Sequence, residues 1–187
     1  MRPKVLLALA ALAATAFAPA GQPDPKRNPN LLSVDLDFAV KELCAPWLAG
    51  TADIAALTDR PGVVKASSQP AWAAGGEAFW VGKPDLTVAL AISPRGARTC
   101  TLRSTSGNPD KLRAALGKTL EAWRVPLTPS VHKFPSGAYA RRDVLCSPKD
   151  GLQDTVLISI GAPNGPVPLM ATLMSNSPRD PRCDAQR

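Results

Sequence analysis

Four cysteines constrain the fold of this 187-residue chain more than any other feature. They stand at positions 44, 100, 146 and 183, and no two of them form a Cys-x-x-Cys pair. This spacing disfavours a thioredoxin-like redox site and a structural zinc site. The only histidine, His132, excludes a multi-histidine metal site. An even cysteine count in an exported chain is typical of two structural disulfides, for which three connectivities exist.

Residues 1–20 have the pattern of a signal peptide. Two basic residues precede an apolar run from Val5 to Ala14, which is too short to cross a bilayer. Ala18 and Ala20 are the small residues that signal peptidase requires, and Pro19 obstructs the earlier cut. Cleavage is therefore predicted after Ala20, and the mature protein is expected to be periplasmic or secreted. An uncleaved anchor is the alternative.

The remainder of the chain is sized for one folded domain. The predicted organisation is a proline-rich, flexible leader at 21–30, a single domain at 31–174 and a polar tail at 175–187, for which Cys183 offers a tether. The mature chain keeps 20 Lys and Arg residues, 22 less the two in the signal, against 15 acidic residues. These basic residues are scattered and aromatic residues are few, so no nucleic-acid partner is expected. No transmembrane segment is expected after signal removal.

The periodicity of apolar residues predicts both helices and strands. Three- and four-residue steps predict a helix from about Ser33 to Gly50, followed by a short helix at 52–57. Residues 61–76 are expected to form a loop. Alternation with a period of two predicts a hairpin over 86–105, after a strand near 77–81. A helix start at Asn108-Pro109-Asp110 follows, and further strands are expected near 138–146, 154–160 and 167–174.

This order of elements predicts the fold class. Strands that return through tight turns pair in antiparallel fashion, and amphipathic helices need a sheet face against which to bury their apolar side. The chain is therefore predicted to be a two-layer α+β domain. It would be mainly antiparallel sheet, with amphipathic helices packed on one face and disulfides as staples.

The predicted faces also favour one disulfide connectivity. Cys44 lies on the apolar helical stripe with Trp47, and Cys100 shares a strand face with Leu102. Two buried cysteines that meet across one helix–sheet interface are well placed to bond, so Cys44–Cys100 is the predicted bridge. The remaining pair, Cys146–Cys183, would tie the tail to the sheet.

Residues suited to catalysis are few and poorly placed. His132 would be the base of a Ser-His-Asp triad, and Ser136 lies near it, but its surroundings lack the G-x-S-x-G pattern. Asp143, Asp150 and Asp154 cluster in sequence, as the carboxylates of a glycosidase would, but turn formation explains two of them. Phosphate-binding, dinucleotide-binding and calcium-loop patterns do not occur. No enzymatic activity, metal or cofactor is therefore predicted.

Two tryptophans and several arginines are the candidate binding residues. Trp72 and Trp80 flank the Gly75-Gly76 pair in a predicted loop, where aromatic side chains would contact a ligand or, alternatively, anchor the fold as half-buried residues. Arginines around the hairpin and near position 141 would form a basic face or point separately into solvent. They are Arg95, Arg98, Arg103, Arg141 and Arg142.

The segments Leu43-Cys44-Ala45-Pro46-Trp47 and Arg98-Thr99-Cys100-Thr101-Leu102 resemble a group of small exported proteobacterial proteins of unknown function, over roughly residues 36–123. The resemblance implies a location in the cell envelope and a Cys44–Cys100 bridge. The leading hypothesis is a non-enzymatic periplasmic interaction or accessory module with an unidentified envelope partner. The alternatives are a small-ligand or peptide binder that uses the Trp72–Trp80 loop, and an envelope hydrolase. A flat, apolar sheet edge would favour the interaction module, whereas a deep pocket with paired carboxylates would favour the hydrolase.

Overall fold

The computed structural model describes residues 29–73, 75–93, 96–123, 125–135, 137–148, 153–162, 165–177 and 180–186. The predicted signal peptide and most of the predicted leader lie outside these residues, as do Arg95, Ser136 and Asp150. The described residues form an α+β fold with one antiparallel sheet, helices packed on one of its faces and two disulfides. The predicted fold class is confirmed.

The helices occupy the predicted regions with different ends. The first helix begins earlier than the expected start near Ser33. Asp53 caps the third helix and Asn108 the fourth, each by accepting a hydrogen bond from a backbone N–H group. In chain order they are α1 (Pro29–Phe38), a π-helical turn (Ala39–Cys44), α2 (Ala45–Ala49), α3 (Ile54–Thr58) and α4 (Pro109–Glu121), with 3-10 helices at Ala71–Ala73 and Pro181–Gln186.

A proline explains the π-helical turn between α1 and α2. Pro46 has no N–H group and cannot donate to the carbonyl of Glu42, one helical turn earlier. The helix widens there, and the N–H of Ala45 bonds instead to the carbonyl oxygen of Val40. The helix then ends at Gly50, whose φ of 73° is the left-handed conformation that favours glycine.

The sheet has the strand order β1-β2-β3-β4-β8-β7-β6-β5, and every neighbouring pair is antiparallel. The short edge strands β1 and β5 were not predicted, and β1 corrects the expectation that 61–76 is entirely loop. Both are too short to show a period-two pattern. The strands are β1 (Val63–Lys65), β2 (Gly76–Val81), β3 (Lys83–Ile92), β4 (Arg98–Ser104), β5 (Thr128–Pro129), β6 (Arg141–Cys146), β7 (Gln153–Ile160) and β8 (Leu169–Ser177).

The main hydrophobic core lies between the helices and one face of the sheet. Trp47 is buried in it, and Trp123 packs against it, as the helical stripes predict. The hydroxyl of Thr119 on α4 donates a 2.8 Å hydrogen bond to Asp37 on α1, which joins the two helices at the edge of this core. The fully buried large side chains are Leu36, Leu43, Leu48, Leu57, Phe79, Leu86, Leu90, Leu102, Leu116, Leu169 and Leu173.

Both predicted disulfides are confirmed. Cys44 bonds to Cys100 with 5.4 Å between their Cα atoms, across the interface between the helices and β4. Cys146 of β6 bonds to Cys183 of the C-terminal 3-10 helix, with a Cα separation of 5.9 Å. Two such bridges are compatible with an oxidising extracellular compartment. Among the described helices, none combines the length and apolar character needed to cross a membrane.

Candidate functional site

The two faces of the sheet carry different side chains because successive residues of a strand point to opposite sides. One face presents Leu, Val, Ile and Cys to the main core. The other face (the open face) carries Ala, Thr, Met and Arg on its central strands. The register aligns Ala89, Thr101, Thr172 and Leu157 in one row across β3, β4, β8 and β7. The centre of the open face is therefore a mixed polar and apolar surface.

The 3-10 turn at Ala71–Ala73 (the Trp72 turn) covers one side of the open face. Its residues Trp72 and Ala73 pack against Ala78 of β2 and Ala89 of β3, whose small side chains allow this close approach. The side-chain amide of Gln69 holds the turn in place, because it donates to the carbonyl oxygen of Ala73 at 2.6 Å and also to that of Gly76. The Trp72 turn is thus a fixed wall above β2 and β3.

Residues 130–135 and 137–140 (the wall segment) cover the other side. Phe134 packs against a cluster formed by Val144, Leu157 and the Cys146–Cys183 bridge. The hydroxyl of Tyr139 donates to the sulfur of Met170 at 3.3 Å, so the wall segment extends over β6 and β7 as far as β8. The face thus has a second wall, opposite the Trp72 turn.

Strands β4 and β8 form a floor between these two walls (the trough). The hydroxyl groups of Thr101 and Thr172 share a hydrogen bond of 3.2 Å at its centre. Ala89 and Leu157, which lie beneath the walls, are three strand spacings apart, so their Cα atoms are about 14 Å from each other. The space between the walls is narrower than this span, because Tyr139 reaches Met170 and Arg103 reaches Trp72. The floor residues are all half-buried and hence partly accessible: Thr99, Thr101, Arg103, Met170, Thr172 and Met174.

Two arginines border the trough, each with its guanidinium near aromatic rings of a wall. The guanidinium of Arg103 lies 5.5 Å from the ring centre of Trp72. The guanidinium of Arg142 lies 5.6 Å from Phe134 and 5.0 Å from Tyr139. Neither arginine forms an ion pair with any carboxylate of the described residues. The trough is thus bordered by positive charge that the described part of the chain does not neutralise.

The tryptophans predicted to bind a ligand, Trp72 and Trp80, lie on the same face of the sheet. Trp80 belongs to β2 rather than to a loop, and shares the face of Ala78. Both tryptophans are half-buried. Trp72 is part of a wall of the trough, whereas Trp80 lies in the row that contains Thr87 and Arg103, between Val64 of β1 and Thr87. Binding by these two residues stays a prediction.

The arginines considered for a basic face are divided between the two sides of the sheet. Arg103 and Arg142 lie on the open face, in a cross-strand row with Met170 and Ser159 between them. Arg98 lies on the covered side, 4.5 Å from the ring centre of Trp47 and bonded to that residue's carbonyl oxygen. Arg141 is also on the covered side and pairs with Asp143. These four described arginines therefore do not form a single basic face, and the prediction of one is wrong for them.

His132 lies in the wall segment, near enough to Asp180 for its charge to contribute to the lowered pKa of that carboxyl, but its imidazole has no hydrogen bond with a described residue. Its ring packs edge-on against Phe134, with 4.8 Å between the ring centres. Its backbone N–H, not its imidazole, donates to the hydroxyl of Ser130 at 3.1 Å. That hydroxyl donates in turn to the carbonyl oxygen of Arg182. These contacts attach the wall segment to the C-terminal 3-10 helix.

The aspartates considered as a catalytic pair are far apart. Asp143 pairs with Arg113 and Arg141 on the covered side of the sheet. Asp154 is buried and accepts a hydrogen bond from the indole N–H of Trp123 at 3.1 Å. Asp143 is opposite Ile158, four residues along β7 from Asp154, which places the two Cα atoms about 14 Å apart. Both carboxylates have structural partners in these positions.

The groups with shifted pKa values, Asp37, Asp180 and Arg182, also belong to structural pairs. Hydrogen bonds from Lys41 and Thr119 hold the pKa of Asp37 below its ordinary value. Burial raises the pKa of Asp180, but hydrogen bonds from Arg182 outweigh that effect, so the carboxyl titrates below its ordinary range. The same contact raises the pKa of Arg182. Within the described ranges, no group of three His, Cys, Asp or Glu residues is arranged to hold a metal ion.

The sequence indicated part of the trough. The outward positions of β4, namely Thr99, Thr101 and Arg103, follow from its period-two pattern. The pairing of β4 with β8 and the approach of Tyr139 to Met170 are contacts between distant segments, which no local pattern predicts. Comparison of the chain with family models, with curated proteins and with solved structures found no match.

Proposed function

We propose that this chain is an exported, non-enzymatic binding protein of the cell envelope, and that the trough holds its ligand. The observation that carries the proposal is the arrangement of a partly accessible floor between two aromatic walls. The floor offers hydroxyl groups at Thr101 and Thr172 and sulfur atoms at Met170 and Met174. Sites for small molecules commonly combine apolar and aromatic walls with a few polar groups.

The ends of the sheet give less support to a protein-interaction module that pairs through an exposed strand. The edge strands β1 and β5 have three and two residues, which is short for strand addition by a partner. Lys65 in β1 and Pro129 in β5 are residue types that discourage edge pairing. The interaction module therefore ranks below the ligand binder, in contrast to the order that the sequence alone suggested.

A hydrolase is supported less than either binding function. The Cα atoms of Asp143 and Asp154 are about 14 Å apart, and each carboxylate is bonded to other side chains rather than facing the other across a substrate site. The imidazole of His132 forms no hydrogen bond with a described residue that would orient it as a base.

Site-specific photocrosslinking in the native cell tests the proposal. The full-length chain would carry p-benzoylphenylalanine in place of Thr172 on the trough floor. A matched variant would carry it in place of Lys111, an exposed residue of α4 on the other side of the sheet. After irradiation, intact-mass analysis would detect small-molecule adducts, and electrophoresis would detect protein adducts.

We expect a defined adduct at position 172 and none at position 111. Adducts in equal yield at both positions, or at neither, would contradict a ligand site in the trough. A protein adduct at position 172 would favour the interaction module over the small-ligand binder.

A further inference from the structure

We propose that the ligand is a small organic anion, an inference that rests on the proposed function of the trough. Its carboxylate or phosphate group pairs with Arg103 and Arg142, and its apolar body lies over the floor methionines, Met170 and Met174.

Arg103 and Arg142 differ from the other described arginines in their contacts. Four of those arginines each pair with a carboxylate of the described chain: Arg60, Arg113, Arg141 and Arg182. Arg98 has no such pair, but it donates a 3.0 Å hydrogen bond to the carbonyl oxygen of Trp47. Arg103 and Arg142 have neither kind of contact with the described residues, and each lies over aromatic rings.

An aromatic ring lies near each of the two guanidinium groups: Trp72 is 5.5 Å from Arg103, and Phe134 and Tyr139 are 5.6 and 5.0 Å from Arg142. The attraction between a cation and a ring does not use the N–H donors of the guanidinium. Those donors match the two oxygens of a carboxylate or phosphate. Because neither arginine pairs with a carboxylate of the described residues, its donors are available to a ligand.

Arg103 and Arg142 lie on opposite sides of the trough floor. Both belong to one cross-strand row, in which Met170 and Ser159 separate them. Their Cα atoms are three strand spacings apart, or about 14 Å, so an anion held beside this row lies between two positive charges. Both arginines are half-buried, and attraction between opposite charges is stronger there than in open water.

The apolar part of the ligand follows from the sulfur atoms on the floor. Met170 and Met174 are flexible, polarizable side chains on the same face of β8, and both are partly accessible. A purely inorganic anion would have no apolar part to contact these side chains. The floor therefore favours an organic body attached to the anionic group.

Calorimetry and NMR shift mapping with paired probes test this inference on the mature chain. Octanoate, 4-phenylbutyrate and phenyl phosphate would each be compared with a neutral counterpart: octanamide, 4-phenylbutanamide and phenol. Inorganic phosphate would serve as the anion without a body. The carboxylate and phosphate arms show which anionic group the site prefers.

At least one organic anion is expected to bind about tenfold or more tightly than its neutral counterpart and than inorganic phosphate. Arg103→Gln and Arg142→Gln should each remove most of that difference. Arg98→Gln is the matched control, because Arg98 also stacks on a tryptophan but lies on the other side of the sheet. It should change the affinity less than about twofold, which is well below the loss of one charged hydrogen bond.

Equal binding of every anion and its neutral counterpart would overturn the inference, and this comparison needs no variant to fold. Unchanged affinity in the Arg103 and Arg142 variants would also overturn it. If anion and neutral probe bind equally but shift signals from β4 and β8, the trough is still a binding site and only the anionic class is wrong. If no probe shifts these signals and position 172 gives no adduct, the proposed function fails as well.

Discussion

Removal of each disulfide as a Cys→Ala pair tests how the two bridges stabilise the protein. The bridges join residues 56 and 37 positions apart. Because loop entropy depends on the logarithm of loop length, restriction of the unfolded chain contributes about 4 kcal/mol in each case. If that effect acted alone, Cys44→Ala/Cys100→Ala and Cys146→Ala/Cys183→Ala would lose nearly the same free energy of unfolding.

The folded structure makes the two expectations unequal. All four cysteines are fully buried, so either pair of replacements also removes packing atoms. Cys44 and Cys100 lie in the main core, and for this pair the total loss is expected to be about 5 kcal/mol. Cys183 anchors a short 3-10 helix that has few other described contacts with the sheet, among them one between Cys183 and the hydroxyl of Thr155. Without its bridge this helix should detach before the sheet unfolds. The loss is then limited to the free energy of docking, about 2 to 3 kcal/mol.

Urea unfolding followed by tryptophan fluorescence measures both losses, because Trp47 and Trp123 report on the main core. Limited proteolysis of the folded variants, followed by mass spectrometry, would detect release of the C-terminal residues. We expect early cleavage near Arg182 only in the variant that lacks the Cys146–Cys183 bridge. The reasoning is refuted if that variant loses as much stability as the other, or if its C-terminal helix stays protected.

Three further predictions concern the backbone, the C-terminal helix and catalysis. In Gly76→Ala the new Cβ would lie 2.3 Å from a carbonyl oxygen of β3, so urea unfolding should show a free energy of unfolding lower by about 2 kcal/mol. Gly117 of α4 faces open space, so Gly117→Ala should raise that free energy by about 0.5 to 1 kcal/mol. Because the pKa of Asp180 is lowered, its carboxylate stabilises docking of the C-terminal helix fully above about pH 4, and this stabilisation is lost as the pH falls through the lowered pKa. Amide hydrogen exchange at Cys183 should follow this pH dependence, and Asp180→Asn should abolish it. His132→Ala should leave any measured ester or peptide turnover essentially unchanged. A fall of about 100-fold or more, which is the scale expected for loss of a general base, would restore the hydrolase hypothesis.

Local patterns were sufficient to predict much of the fold. The period of two in β3 and β4 identified their buried faces, and Asn108 followed by a proline identified the start of α4. The same patterns placed Cys44 and Cys100 on facing surfaces, from which the first disulfide followed. Each of these inferences needs only one segment of chain and the rule that apolar faces turn toward the core.

The remaining features depend on contacts between segments that are distant in sequence. The three residues of β1 become a strand only because β2 is beside them. The trough needs β4 to pair with β8, and it needs Tyr139 and Trp72 to lie over the same face from opposite sides. The sequence around each of these residues is no different from that around an ordinary surface threonine, methionine or aromatic residue. Their common location depends on the strand register, which cannot be read from the sequence.

The second disulfide links the stability of the fold to the shape of the trough. Cys146 and Cys183 are part of the cluster on which Phe134 packs, and Phe134 in turn lies against the guanidinium of Arg142. The hydroxyl of Ser130 adds a hydrogen bond from the same wall to the C-terminal helix. Detachment of that helix thus removes support from the wall segment while the main core, held by the other bridge, stays intact. The Cys44–Cys100 disulfide therefore chiefly stabilises the core, and the Cys146–Cys183 disulfide keeps one wall of the open face in position.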